Sequence, residues 1–339
     1  MTSQLSPYYL DKTAALADVL GATEVLVEDS SIVVDGRRYP VIDDVIVLLE
    51  PQHYTQRVAA EVGSALSAER GSADLASDIQ FTFGLEWSTF AGILPEHEEE
   101  FRDYFDLVDL VDLSDARICD LGCGTGRWSY FLRNRCRQMI LVDFSDSIFV
   151  ARENLRDCSR ALFFMADLTT VPFRSGCADL VICLGVLHHL PVPALSVVRR
   201  LQRLAPRLLI YVYYAVDNRP AHFRALLAIV TALRQVTFRI RGRHTRSVIA
   251  WSATLILYAP LLIIGRLLSK VGSQHLVPLY DSYSGKSLRR IEQDAYDRFF
   301  TRIEQRISRS SIEQLSDTFD VVSISPNKPY WHFVCISSQ

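Results

Sequence analysis

The chain has 339 residues, 49% of them hydrophobic, enough to bury one large core or two medium ones. Its 36 basic and 39 acidic residues leave a net charge of −3, which excludes a global electrostatic drive toward nucleic acid. Seven cysteines occur without a C-x-x-C pair, and Gly126 stands where a C-x-x-x-C-x-x-C cluster would need its third cysteine, so they read as small buried hydrophobes with no metal implied.

The first residues, MTSQLSPYYLDKTAAL, show no basic stretch followed by an apolar one, which reads as no signal peptide and a cytoplasmic chain. Residues 1–62 form a small N-terminal unit in which SIVVDGRRYPVIDDVIVLL predicts two strands around a Gly/Pro turn. The run Tyr39-Pro40-Val41-Ile42-Asp43-Asp44 resembles the end of Trm112-like modules, although no cysteine precedes Cys119 to build their zinc ribbon. Residues 63–100 follow as linker and N-terminal lid. GSALSAERGSADLASDIQ (63–80) has linker composition. FTFGLEWSTF (81–90) is dense in aromatics, and two roles fit it: packing the lid onto the body, or walling a ligand.

From 117 onward, apolar runs at 117–121, 139–143, 161–165, 178–184 and 207–214 alternate with helical stretches such as SDSIFVARENLRD and PALSVVRRLQRLA. That rhythm predicts a parallel α/β sheet covered on both faces. An insertion, 220–311, comes next. It holds an uncharged run of 17 residues, Val248 to Ile264, flanked by Arg239, Arg241, Arg243 and Arg246 before and by Arg266 and Lys270 after. A single membrane span there would part the last strands from the sheet they should join, so buried lid helices are expected, with a helical pair on a membrane surface as the alternative. Ser308 or Ser310 fits the cap of the last helix. The closing runs 319–325 and 330–337, around Pro326-Asn327-Lys328-Pro329, predict an antiparallel hairpin in 312–339.

The first of the central strands runs into Asp120-Leu121-Gly122-Cys123-Gly124-Thr125-Gly126. Glycine at every second position permits a sharp loop whose backbone N–H groups meet a ligand. The dinucleotide pattern G-x-G-x-x-G is not met, because Arg127 stands where its last glycine belongs. Asp143 ends the next apolar run, 21 positions after Gly122, where a carboxylate can accept both hydroxyls of a ribose. Together these residues resemble the S-adenosylmethionine (SAM) site of class I methyltransferases.

The resemblance implies a Rossmann-like, doubly wound, seven-stranded sheet with a C-terminal antiparallel hairpin, a core over 101–219 and SAM as cofactor. It implies that Asp120 orients the amino-acid end of SAM, that Gly122, Gly124 and Gly126 line its methionine moiety, and that Asp143 takes the ribose. It places Asp167 and Leu168 at the adenine, and Leu184 where the chain passes the sulfonium. The motif Val186-Leu187-His188-His189-Leu190 recurs in such enzymes after the fourth strand. A histidine there has the chemistry of a general base, a role that the motif does not demand. Ser145 is expected to cap the following helix and leave Asp143 to the ribose.

Three functions fit these residues. One is methyl transfer to a small-molecule acceptor, of the kind found in secondary metabolism, without nucleic acid and without necessary membrane contact. A second consumes SAM by attack on its aminobutyrate arm, as azetidine-2-carboxylate synthases do. The third is a non-catalytic partner with the methyltransferase fold. Candidate aromatics for the sulfonium are Phe83, Trp87, Tyr211, Tyr213, Tyr214, Tyr330, Trp331 and Phe333; alternate strand residues face opposite sides, so not all reach one site.

Overall fold

The computed structural model describes residues 7–63, 75–326 and 331–338. Most of the linker stretch 63–80, the turn after Pro326 and Tyr330 therefore lie outside the described residues. Two compact bodies divide the chain, residues 1–215 with 305–339, and residues 216–304.

The first body opens with α1 (Thr13–Leu20), which stops at Gly21 in the left-handed conformation. Four short strands follow, β1 (Val25–Glu28), β2 (Ser31–Val34), β3 (Arg37–Ile42) and β4 (Val45–Val47). Asp35 and Gly36 turn β2 into β3 with positive φ at both residues, and Asp43 and Asp44 turn β3 into β4 likewise. The sequence predicted two strands and a separate unit. Instead, β4 pairs in parallel with β7 (Ala161–Met165) and carries the four strands onto the edge of the main sheet. The side chain of Tyr8 donates to the carbonyl of Ala161 at 2.7 Å, and Arg152 pairs with Asp44 at 2.6 Å, which pins this segment down.

Helices α2 (Gln56–Val62), α3 (Leu75–Thr89) and α4 (Glu96–Tyr104) lead into the central strands. Those are β5 (Arg117–Leu121), β6 (Gln138–Asp143), β7, β8 (Leu180–Leu184) and β9 (Arg207–Val212), all parallel, with β10 (Val321–Ile324) and β11 (Trp331–Ile336) added antiparallel. The order is β1-β2-β3-β4-β7-β6-β5-β8-β9-β11-β10. The seven expected strands are thus the last seven of an eleven-stranded sheet.

Crossover helices α5 (Arg127–Leu132) and α6 (Ser147–Asn154) cover one face, and α7 (Ala194–Leu201) the other. In α7, Ala194, Val197, Val198 and Leu201 follow the apolar spacing of a helix and are all buried. Strands β5 and β7 are buried at every position, as expected of a sheet covered on both faces. All seven cysteines are buried and free. The order reverses between β5 and β8, the kind of switch point at whose carboxyl ends open α/β sheets bind ligands.

The second body is helical: α8 (Ala221–Thr237), α9 (Arg243–Ala253), a π-helical turn Thr254–Tyr258, α10 (Ala259–Leu268), α11 (Tyr280–Tyr283) and α12 (Leu288–Phe300). Ser287 caps α12 through Arg290 N–H at 3.2 Å. The chain then rejoins the first body, where Ser308, rather than Ser310, caps α13 (Arg309–Glu313) by accepting Ser311 N–H at 3.1 Å. The expected burial of 248–264 is not found: only 22% of the most apolar stretch of the helix Arg243–Val271 is buried. Hydropathy marks the segment as core material, whereas the face it turns inward carries Arg246, Ala250, Thr254 and Tyr258, and much of its aliphatic surface is exposed.

Candidate functional site

Gly122, Gly124 and Gly126 all take positive φ (74°, 54° and 70°), the left-handed backbone that glycine adopts without strain. Space matters as much as dihedrals here. A Cβ on Gly122 would lie 2.5 Å from a methyl of Val186, and one on Gly124 would lie 3.3 Å from the indole of Trp87. The loop is anchored to the neighbouring strand: the N–H groups of Gly122 and Cys123 both donate to the carbonyl of Val142, at 2.8 and 3.0 Å.

Asp143 is the organiser of the loop. Its Oδ2 accepts Gly124 N–H at 2.9 Å, while Oδ1 accepts Ser145 N–H at 2.9 Å and the Ser145 hydroxyl at 2.8 Å. The expectation that Ser145 would leave Asp143 unengaged is therefore corrected. Asp146 occupies the N-cap position of α6, without a capping bond from its side chain; the Ser145 hydroxyl donates to the carboxylate while its oxygen accepts the N–H of Ser147, first residue of α6, at 3.4 Å. A carboxylate has about four acceptor positions. Three are in use, which leaves Oδ2 room for one further donor.

Asp120 ends its strand buried, 2% exposed, and accepts the Ser129 hydroxyl at 2.7 Å. Burial pushes its carboxyl up to about 7, and nearby Asp143 pushes the same way; the Ser129 bond and Arg127 oppose them. Ser129 was not singled out by its sequence pattern. It lies on the buried face of α5, where an apolar residue would ordinarily sit.

Asp167 builds a turn. Its Oδ1 accepts Thr169 N–H at 2.8 Å and the Thr169 hydroxyl at 2.7 Å, while Oδ2 makes no hydrogen bond among the described residues. Leu168 and Leu184 are buried, each 8% exposed, at the carboxyl ends of β7 and β8.

His188 and His189 lie in a one-turn 3-10 helix after Gly185, with ring centroids 4.2 Å apart. His188 is fully buried and stacks on Tyr213 at 3.8 Å. Its Nδ1 accepts Tyr213 N–H at 3.4 Å, so the neutral ring carries its proton on Nε2, which has no partner among the described residues. Burial, with smaller contributions from His189 and Arg306, holds its pKa well below the ordinary value. Gln305 braces this turn. Its side chain bonds the carbonyls of Leu190 and Val192, both at 2.8 Å, and its N–H donates to the carbonyl of His188 at 2.8 Å. No local pattern marks Gln305, which is brought in from beyond the helical insertion.

The aromatic candidates separate by strand face. Tyr211 and Tyr213, two apart, join the histidine cluster: Tyr211 lies 5.9 Å from Tyr213 and 5.0 Å from Tyr104. Tyr214 points the other way, 6.1 Å from Trp331, and Phe333 belongs to the core. Helix α3 closes the site from above, with Phe83 5.2 Å from His189 and the Trp87 indole on Gly124. Arg127 lies 5.0 Å over that indole. Just before FTFGLEWSTF, Gln80 anchors the helix on the carbonyls of His53 and Phe144, at 2.7 and 3.1 Å, and within it Phe83 and Trp87 pack on His189 and Gly124.

Residues 118–206 match the family model described as a methyltransferase domain. The chain is 32% identical over 102 residues to the tRNA (carboxymethyluridine(34)-5-O)-methyltransferase alkbh8 of Xenopus tropicalis, covering 28% of this chain and 15% of that protein. It is 36% identical over 108 residues to the mouse protein of the same name, covering 30% of this chain and 15% of the other. The chain thus spans about 15% of the length of the curated relatives it matches. A crystal structure of magnesium protoporphyrin IX methyltransferase from Synechocystis PCC 6803 with bound SAH aligns with 78% of this chain and 100% of its own, at 15% identity and a TM-score of 0.42. Residues 118–206 thus carry a methyltransferase domain.

Proposed function

We propose that the chain transfers the methyl group of SAM to a small-molecule acceptor of the kind used in secondary metabolism. The observation that carries this reading is the aromatic cluster that follows β8 and β9: His188 stacked at 3.8 Å on Tyr213, with Tyr211, Tyr104 and His189 around it. Such a cluster holds a flat or apolar acceptor and excludes water.

The residues present fit the cofactor. The three glycines give the loop its left-handed turns beside the methionine end, and Asp143 keeps room for one ribose hydroxyl while fixing the loop. Asp120, at about 7, ionises readily beside an ammonium group. The unengaged Oδ2 of Asp167 suits an adenine amino group, with Leu168 packing on the ring and Leu184 passing the sulfonium. When bound, SAM supplies an electrophilic methyl group. The protein's own part is orientation, water exclusion and one donor at His188 Nε2. With Nδ1 engaged and Nε2 protonated, His188 positions an acceptor oxygen or nitrogen and does not take its proton.

The tRNA acceptor named for the relatives is not carried over, since they share only about 15% of their length with this chain. Incubation with methyl-labelled SAM, a mixed small-molecule acceptor pool and bulk tRNA, followed by identification of the nucleoside product and of the labelled acceptor, tests the reading. S-adenosylhomocysteine with a methylated small molecule supports it. Methylthioadenosine supports attack on the aminobutyrate arm, and labelled RNA in place of a labelled small molecule overturns the acceptor class.

A further inference from the structure

The long helix Arg243–Val271 of the second body is amphipathic in the inverted sense. Along α9 and the π-helical turn, Arg246, Ala250, Thr254 and Tyr258 recur every fourth residue and are buried. Arg246 donates to the carbonyl of Ile240 at 2.6 Å and lies 4.9 Å over the ring of Phe300. Gly265 continues the line, pressed against Tyr280. The opposite face is built of large hydrophobics in solvent: Val248 (64% exposed), Leu255 (54%), Ile256 (77%), Ile263 (62%), Leu267 (59%) and Val271 (71%). Helix α8 also leaves large hydrophobics in solvent: Phe223, Val230 and Arg234 are buried, while Ile229, Leu233 and Val236 are exposed. A water-soluble helix pair would turn these faces the other way.

Charge identifies what covers the face. Between Asp217 and Asp281 there is no acidic residue, while nine arginines and lysines occur, in a chain whose net charge is −3. Arg239, Arg243, Arg266 and Lys270 are exposed beside the two ends of the apolar run. We propose that the helical body 216–304 docks on an anionic lipid bilayer, laying the exposed face of 248–271 into the headgroup and acyl boundary with these basic side chains on the phosphates.

A second copy of the chain fits less well. A two-fold interface would set the same basic rim against itself. An RNA partner would use the arginines and leave the isoleucine and leucine face uncovered. A transbilayer placement is opposed by α12, packed against α8 and α9, which carries Arg289, Arg290, Glu292, Asp294, Asp297 and Arg298 and would have to follow them into hydrocarbon. An in-plane helix with an apolar face and basic flanks is the form that suits an anionic surface.

The test is flotation of the full chain with phosphatidylcholine vesicles, with and without phosphatidylglycerol, at low and high salt, beside gel-shift with bulk tRNA. Flotation with the anionic vesicles, falling as salt rises, is expected. Ile256→Gln with Ile263→Gln should lower the partition coefficient by at least about tenfold. Arg243→Gln with Lys270→Gln should lower it about fivefold for each charge, on anionic vesicles only. All four positions are exposed, so SAM binding and thermal midpoint should stay as in the wild type, and failure here leaves the methyl-transfer reading untouched. Absence of flotation on anionic vesicles overturns the proposal. So does a dimer broken by the isoleucine pair without vesicle binding, or tRNA binding lost only in the Arg243/Lys270 pair.

Discussion

The carboxylate of Asp143 accepts the backbone N–H of Gly124 at 2.9 Å, so the side chain expected to hold ribose also holds the glycine loop. The two duties separate by mutation. Asp143→Asn keeps the shape but turns one of the two carboxylate oxygens into a donor, set either against Gly124 N–H or against the N–H and hydroxyl of Ser145. Loss of charge-assisted bonds costs about 1.5–3 kcal/mol each before relaxation, so SAM affinity should fall by roughly 10- to 100-fold and the thermal midpoint should drop with it. Ser145→Ala removes only one donor, and should lower the midpoint while leaving the SAM dissociation constant within about threefold. Calorimetric titration of both variants checks this, and equal losses of affinity would refute the division of labour.

Asp120 gives a pH dependence of defined sign. Folding raises its carboxyl from the ordinary 3.8 to about 7. Between these values the folded chain holds a proton that the unfolded chain has released, so this group's contribution to stability declines as pH rises through that window. Asp120→Asn should remove the dependence and stabilise the ligand-free protein above pH 7, by an amount of order a few kcal/mol. Ligand binding should run oppositely in the wild type: an ammonium group favours the ionised carboxylate, so SAM affinity should rise from pH 6 to pH 8. A flat profile, or a variant no more stable at pH 8, contradicts the assignment.

Gly122 and Val186 supply a coupled pair. Gly122→Ala meets two penalties, a left-handed backbone at φ 74° and overlap with Val186 at 2.5 Å. The first costs about 1–2 kcal/mol and the second about 1–3 kcal/mol. Val186→Ala in the same chain should recover the overlap part and leave the backbone part. Strict additivity of the two substitutions in denaturant unfolding would show that the contact is not there.

For His188, nitrogen NMR should show Nε2 protonated and Nδ1 bare from pH 5.5 to 8, since burial holds its pKa well below the ordinary value. A ring that titrates within that range would restore it as a candidate base.

Much of this site is legible in the chain because its signals are local. The five parallel strands announce themselves as short apolar runs, since strands covered on both faces have no polar side to show. The glycine loop and Asp143 are fixed by spacing along one strand-loop-strand unit. What escaped was settled by distant partners. Nothing near Val45–Val47 says that this three-residue strand pairs with β7 and fuses the N-terminal strands to the main sheet. Gln305 braces His188 across an insertion of about ninety residues. The Ser145 hydroxyl both donates to Asp143 and accepts the N–H of Ser147, and spacing alone does not show that the first bond forms. For 248–264, hydropathy reads how apolar a segment is, not which of its faces meets the protein. The alternation of Arg246, Ala250, Thr254 and Tyr258 with larger hydrophobics was present in the sequence, and it is the one signal that would have shown the inversion.

The central claim is that SAM occupies the loop Gly122–Gly126 at the carboxyl ends of β5 and β6. Amide hydrogen exchange of the full chain, with and without saturating SAM, tests it most directly. The account predicts slowed exchange confined to residues 119–127, 143–147 and 166–170, and loss of that protection in Asp143→Ala. Protection elsewhere with these three segments unchanged, or protection that persists undiminished in Asp143→Ala, would contradict it.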